Sequence, residues 1–267
     1  KFYEYMRSFG LMNTTGIDLG GEAVGVFAAD SSFTQLDLAC YAFGQNFTVT
    51  PLALIAAQAA CVNGGYLHTP YLVERIADSD GNVTYRHDDT PVRQVISEQT
   101  SATVRECLEY VVASGTGKNG QVAGYRIGGK TATSEKLPRR SGKYIASFLS
   151  FAPAENPQVM ALVLIDEPQG VYYGGTVAGP VMQELLRNIL PYLGMEAKYD
   201  EKEAEEAAEL KTIVPDLLGM TLNEGKNALF QAGLSARLET EGETITGQMP
   251  PAGESVNKGT KVLLRME

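Results

Sequence analysis

The sequence has no tryptophan, only two histidines and three cysteines. Each shortage excludes something. His68 and His87 stand without cysteines or carboxylates at ligand spacing, so both read as surface or structural residues and no metal or cofactor is expected. Cys40, Cys61 and Cys107 form neither a Cys-x-x-Cys pair nor an even framework, which argues against a disulfide scaffold. They are expected to be buried small hydrophobic residues, Cys61 and Cys107 on the apolar faces of predicted helices. The longest apolar runs, Pro51 to Val62 and Val159 to Ile165, are too short to cross a bilayer, and the N-terminus lacks a signal-peptide layout. Any membrane anchor is therefore expected outside these residues. Basic residues are also scarce, 22 Lys and Arg against 32 Asp and Glu, for a net charge of -10. Nucleic acid is an unsuitable partner, because its phosphates require clustered lysine and arginine.

Apolar residues make up 44% of the 267, enough for one or two packed domains. Lys1 to Phe9 reads as a helix without a cap, as though part of a longer one, and Met12 to Phe33 as glycine-rich loop. Thr50-Pro51 supplies a cap and first-turn proline for a helix to about Val62, stopped by Asn63-Gly64-Gly65, with Leu52, Ile55, Ala56 and Ala59 facing inward. Tyr71 to Tyr85 reads as a hairpin around Asp78-Ser-Asp-Gly81. A helix from about Thr100 to Ala113 follows, with Val104, Cys107, Leu108 and Val111 on one face. Pro180 is placed at the start of a further helix, with Val181, Leu185, Leu186 and Ile189 inward and Gly194 as its stop. From 196 to 211 the composition turns to Glu, Ala and Lys, an acidic helical linker. The last domain, 212–267, begins with extended Val214-Pro215, continues with a capping box at Thr221-Leu-Asn-Glu224, and ends in two or three strands.

The chemistry concentrates in Gly128-Gly-Lys-Thr-Ala-Thr-Ser-Glu-Lys136. Two strand-length apolar runs follow, Tyr144 to Ala152 and Gln158 to Ile165, joined by turn-rich Pro153 to Pro157. This predicts an edge strand carrying Lys130 and then a hairpin. Such an edge, lined by Lys130, Thr131 and Thr133, accepts an extended peptide and holds its carboxylate with ammonium and hydroxyl donors.

Lys130-Thr131-Ala132-Thr133 resembles the Lys-Thr-Gly motif of penicillin-binding proteins and serine β-lactamases. Other stretches are similar to class B penicillin-binding transpeptidases in the same order: Thr15 to Leu19, Phe43 to Pro51, Asn63-Gly-Gly65 with Pro70-Tyr-Leu72, Gly115-Thr-Gly117, and Ser147 to Pro153. Val214-Pro-Asp-Leu217, Ala232-Gly-Leu234 and Gln248-Met-Pro-Pro251 resemble a PASTA module. The combination is similar to the sporulation-type (stage V, D-type) members. The resemblance implies an α/β (α+β) transpeptidase portion over 1–195, an antiparallel sheet flanked by helices, followed by a small α+β PASTA domain. It implies D-alanyl-D-alanine transpeptidation of peptidoglycan through an acyl-serine, with stem peptides and β-lactams as ligands, in a membrane-anchored extracytoplasmic parent protein. Lys130 would serve electrostatics and protonation, Thr131 and Thr133 would bind the substrate carboxylate, and the Thr133 N–H would be an oxyanion donor. Ala132 departs from the family's glycine; it either crowds the acyl chain or sits in ordinary strand geometry.

Ser-x-x-Lys, the family's nucleophile motif, occurs only as Ser255-Val-Asn-Lys258, a chance match in a predicted turn of the C-terminal module. The nucleophile is therefore expected outside this chain, which alone should be inactive. The family's sheet is completed by strands that precede the nucleophile, so an uncovered sheet edge is expected as well, to be filled by a preceding segment or another chain. Two rivals remain. One is a non-catalytic cell-wall protein that recognises peptide or scaffolds a partner. The other is a P-loop nucleotide hydrolase, because Gly124 to Thr131 satisfies Gly-x-x-x-x-Gly-Lys-Thr and Asp166-Glu167 ends an apolar strand. A P-loop needs a helix after the threonine, and Ala132 to Lys143 makes a poor one.

Overall fold

The computed structural model of the protein describes residues 1–138, 140–199 and 210–267. It divides into two compact units, Lys1–Ala197 and Lys198–Glu267. Most of the expected acidic linker, 200–209, lies outside the described residues.

The first unit opens with α1 (Phe2–Ser8), α2 (Gln35–Ala42) and α3 (Pro51–Val62). Thr50 caps α3 by accepting the Ala53 N–H, and Pro51 occupies the first turn, where a missing N–H costs nothing. The buried side chains of α3 are Ala53, Ala57, Ala60 and Val62, not the row Leu52, Ile55, Ala56, Ala59 expected from the sequence. This helix is apolar on nearly every side, so periodicity does not select a face. Short strands follow: β1 (Tyr66–Leu67), β2 (Arg75–Ala77), β3 (Val83–Arg86) and β4 (Arg93–Gln94), with β2 and β3 forming the expected hairpin. Asp18 pins the approach to that hairpin, its two carboxylate oxygens accepting the N–H groups of Leu72 and Val73 at 2.8 Å each.

Helix α4 (Glu98–Ser114) is capped by Ser97. Val104 and Leu108 pack beside Val62, Phe151 and Ala154, as their spacing predicts. Cys107 does not join them and is exposed, while Cys40 and Cys61 are half-buried. The expectation of three buried cysteines is thus corrected. Position 107 lies off the stripe defined by 104, 108 and 112, of which Val112 is fully buried. Desolvation pushes the Cys61 thiol up to about 11, which keeps it protonated and unreactive.

The central sheet contains β5 (Gly128–Glu135), β6 (Tyr144–Ala152) and β7 (Val159–Asp166), antiparallel in that order. Alternation along β6 sends Phe148 and Ala152 into one core with Val112, Met182 and Leu186, and Phe151 into another with α3 and α4. β7 pairs only with β6, so among the described residues the sheet is open at both edges. Glycines 128 and 129 serve this packing: a Cβ at Gly128 would collide with the Phe151 ring, and one at Gly129 would sit 2.6 Å from the Leu149 carbonyl oxygen. Buried Ser150 donates its hydroxyl to the Gly128 carbonyl at 3.0 Å.

Helix α5 (Gly174–Tyr192) covers the Phe148 face. It begins before Pro180, not at it, and its inward row is Ala178, Met182, Leu186 and Leu190. Val181 and Leu185 are exposed, which corrects the expected face by about one position. The missing N–H of Pro180 leaves the carbonyl of Thr176, one helical turn earlier, without its usual donor, at a residue that is exposed.

In the second unit β8 (Lys211–Ile213) leads to α6 (Leu222–Gln231), β9 (Ser235–Leu238), β10 (Ile245–Met249), β11 (Ser255–Asn257) and β12 (Lys261–Met266). β12 runs antiparallel to β10 and parallel to β9. The capping box expected at Thr221 and Glu224 is formed in both directions. Leu217, Leu229, Ile245, Val262 and Leu264 make the core.

Candidate active-site strand

Strand β5 is an edge strand, hydrogen-bonded to β6 on one side alone among the described residues. Strand alternation divides the expected site residues between its two faces. Lys130 and Ala132 are exposed on one face, while Thr131 and Thr133 lie on the face that receives α5. Lys130 Nζ donates to the carbonyl of Thr131 at 2.7 Å. Ala132 is absent from the residues with positive φ and lies within regular ladder pairing opposite Ser147. It therefore sits in ordinary strand geometry.

The two threonines are engaged differently. Thr131 is 9% exposed, and its hydroxyl donates to the Thr116 hydroxyl at 3.1 Å. The Thr133 hydroxyl accepts the Gly174 N–H at 3.0 Å. Having accepted from the backbone, the Thr133 hydroxyl still has a donor to offer, whereas the Thr131 hydroxyl donates to Thr116. Gly174 comes this close because it has no side chain: a Cβ there would run into the carbonyl oxygens of Ala132 and Ser147.

Thr116, Asn119 and Gly174 are neighbours of the strand, and of these only Thr116 falls in a stretch the sequence analysis names. Gly115-Thr-Gly117 enters there only as a stretch of family resemblance, and nothing local links it to a strand 15 residues on. Beyond β5, Lys136 pairs with Asp166 and Glu167 at 2.9 Å each, and Lys143 pairs with Glu167 at 3.2 Å. The two lysines hold the Glu167 carboxyl below its usual range. Tyr144 and Tyr172 stack with centroids 4.0 Å apart, and Tyr173 lies against Tyr172 at 4.7 Å.

These positions overturn the nucleotide-hydrolase reading. Gly128–Glu135 is a strand followed by another strand, so no helix N-terminus meets a phosphate after Thr131, and Asp166 and Glu167 are bound by lysines. The Ser255 match also loses its meaning. Ser255 lies in β11 rather than in the expected turn, and residues three apart share a face only on a helix.

Comparison with known proteins agrees with this architecture. Residues 1–187 match the penicillin-binding protein transpeptidase domain, and residues 212–267 match the PASTA domain. The chain belongs to the penicillin-binding transpeptidase family. It is 39% identical to stage V sporulation protein D of Bacillus subtilis over 98% of this chain and 41% of that protein. It is 31% identical to peptidoglycan D,D-transpeptidase FtsI of Escherichia coli, over 70% of this chain and 31% of that protein. The crystal structure of penicillin-binding protein 3 from Mycobacterium tuberculosis, complexed with ampicillin, is similar at TM-score 0.67 and 25% identity, over 75% of this chain and 47% of that one. The chain thus spans less than half the length of each of these relatives. Among the described residues no helix is long and apolar enough to cross a membrane.

Proposed function

We propose that this chain supplies the substrate-binding sheet edge of a peptidoglycan D,D-transpeptidase acting on the outer side of the cell membrane. The observation that carries the reading is the Thr133 hydroxyl, which accepts the Gly174 N–H and so retains its donor capacity, on an open strand edge next to exposed Lys130. A stem peptide laid along β5 would add a strand, place its terminal carboxylate at Thr133 and take charge compensation from Lys130. β-Lactams carry a carboxylate in a comparable position and would bind there too.

In the reaction a serine oxygen adds to the carbonyl of the penultimate D-alanine, and the terminal D-alanine leaves as an amine after gaining a proton. An amine of a second stem peptide then displaces the serine and restores its proton. The serine belongs to a segment outside these residues, and the open edge of β7 is where preceding strands would complete the sheet. An oxyanion donor from the β5 backbone at Thr133 would work together with the N–H of that serine. Similarity to the stage V sporulation protein favours a role in spore cell-wall synthesis.

Fluorescent penicillin offered to the full-length protein and to this chain, followed by denaturation, tests the reading. Covalent label is expected on the full-length protein and not on this chain alone. A folded full-length protein that takes no label would replace the enzyme with a non-catalytic peptide-recognition protein.

A further inference from the structure

We propose that Thr116 is a positioning residue, holding the site strand at its working depth through Thr131; the role rests on the transpeptidase reading. One edge of β5 is fixed by the hydrogen-bond ladder to β6, and no strand pairs with the other among the described residues. The position of that free edge therefore depends on side-chain contacts. Two such contacts reach the threonine face: the Thr131 hydroxyl on Thr116 at 3.1 Å, and the Gly174 N–H on Thr133 at 3.0 Å.

Both contacts trace back to the turn that follows α4. The N–H groups of Gly115 and Gly117 both donate to the Val111 carbonyl at 3.0 Å, which clamps the turn to the end of that helix. Asn119 Nδ2 donates to the Gly175 carbonyl at 2.9 Å, and a Cβ at Gly175 would collide with the Thr116 carbonyl oxygen. Thr116 thus meets the strand through its hydroxyl and the start of α5 through its backbone. The α5 start in turn delivers the N–H that orients Thr133. A shift at Thr116 moves both threonines of the site together, although Thr116 need not touch a substrate.

The hydroxyl, not the bulk, is the element at stake. Thr116→Val keeps the shape but removes the acceptor, stranding the proton of buried Thr131; Thr116→Ser restores it. In this chain, amide hydrogen exchange across 129–133 is expected to quicken about fivefold to tenfold in T116V, as for one hydrogen bond of ordinary net strength, and to stay within about twofold in T116S. That readout is independent of any enzymatic activity. In the full-length protein, T116V is expected to slow the penicillin acylation step about tenfold, beyond what any fall in melting temperature explains, with T116S near wild type, and to have no further effect once Thr131→Val is present.

Unchanged exchange in T116V would overturn the proposal whatever the enzyme does. Equal acylation of T116V and wild type, or a loss explained wholly by a lower melting temperature, would overturn it as well. A wild-type protein that takes no label would instead remove the transpeptidase reading and the positioning role with it.

Discussion

The Gly174 N–H donates to the Thr133 hydroxyl at 3.0 Å, joining the first residue of a helix to a strand 41 positions earlier. This bond uses the threonine oxygen as an acceptor and leaves its hydroxyl donor available. Removing it should cost both stability and ligand binding. Thr133→Val leaves the N–H of buried Gly174 unpaired, a cost of about 1–3 kcal/mol. Urea unfolding should register that loss, and penicillin labelling of the full-length protein should fall at least about tenfold, the factor that 1.4 kcal/mol represents. Labelling at the wild-type rate would move the carboxylate site elsewhere.

Gly174 itself should tolerate no side chain. Gly174→Ala drives a methyl group into the carbonyl oxygens of Ala132 and Ser147, so the start of α5 must retreat from β5. Overpacking of this kind costs about 1–3 kcal/mol. A melting temperature equal to that of wild type would show that the helix start yields more easily than its packing suggests.

Ala132→Gly, which restores the family's residue, should change little in the site. Ala132 already has regular strand geometry and an exposed side chain. The substitution is expected to destabilise by about 0.5–1 kcal/mol through the extra freedom of glycine in the unfolded chain. Penicillin labelling at the wild-type rate is the expected readout in the full-length protein; a large gain would mean that the methyl group crowds the acyl chain.

Acid should release the loop held by Asp18. The N–H groups of Val73 and then Leu72 lower this carboxyl from its ordinary 3.8. A folded-state value below the unfolded one contributes stability that is present above 3.8 and is lost as pH falls through the lower folded value. Amide signals of Leu72 and Val73 should therefore hold through mild acid and shift only below 3.8. Asp18→Asn should abolish that transition; a transition unchanged in the variant would assign it to another group.

Much of this fold is legible locally. The caps at Thr50 and Thr221, the hairpin around Gly81 and the strand lengths of β5 to β7 follow from neighbours a few residues apart. The face of a uniformly apolar helix is less legible, which is why α3 buries a row one position away from the one expected, whereas in α5 the expected Leu186 is buried and Val181 and Leu185 are not. The motif glycines also change meaning: Gly128 and Gly129 make room for Phe151 and Phe148 rather than for a ligand.

The sequence by itself determined most of the longer elements, the site strand with Lys130 to Thr133, and the mismatch of Ser255 with a nucleophile, because propensity, capping and motif spacing are local. Only the tertiary structure decided which threonine accepts a backbone N–H and which donates to another hydroxyl. That choice depends on Thr116 and Gly174, which approach β5 from distant parts of the chain through packing that no local pattern encodes.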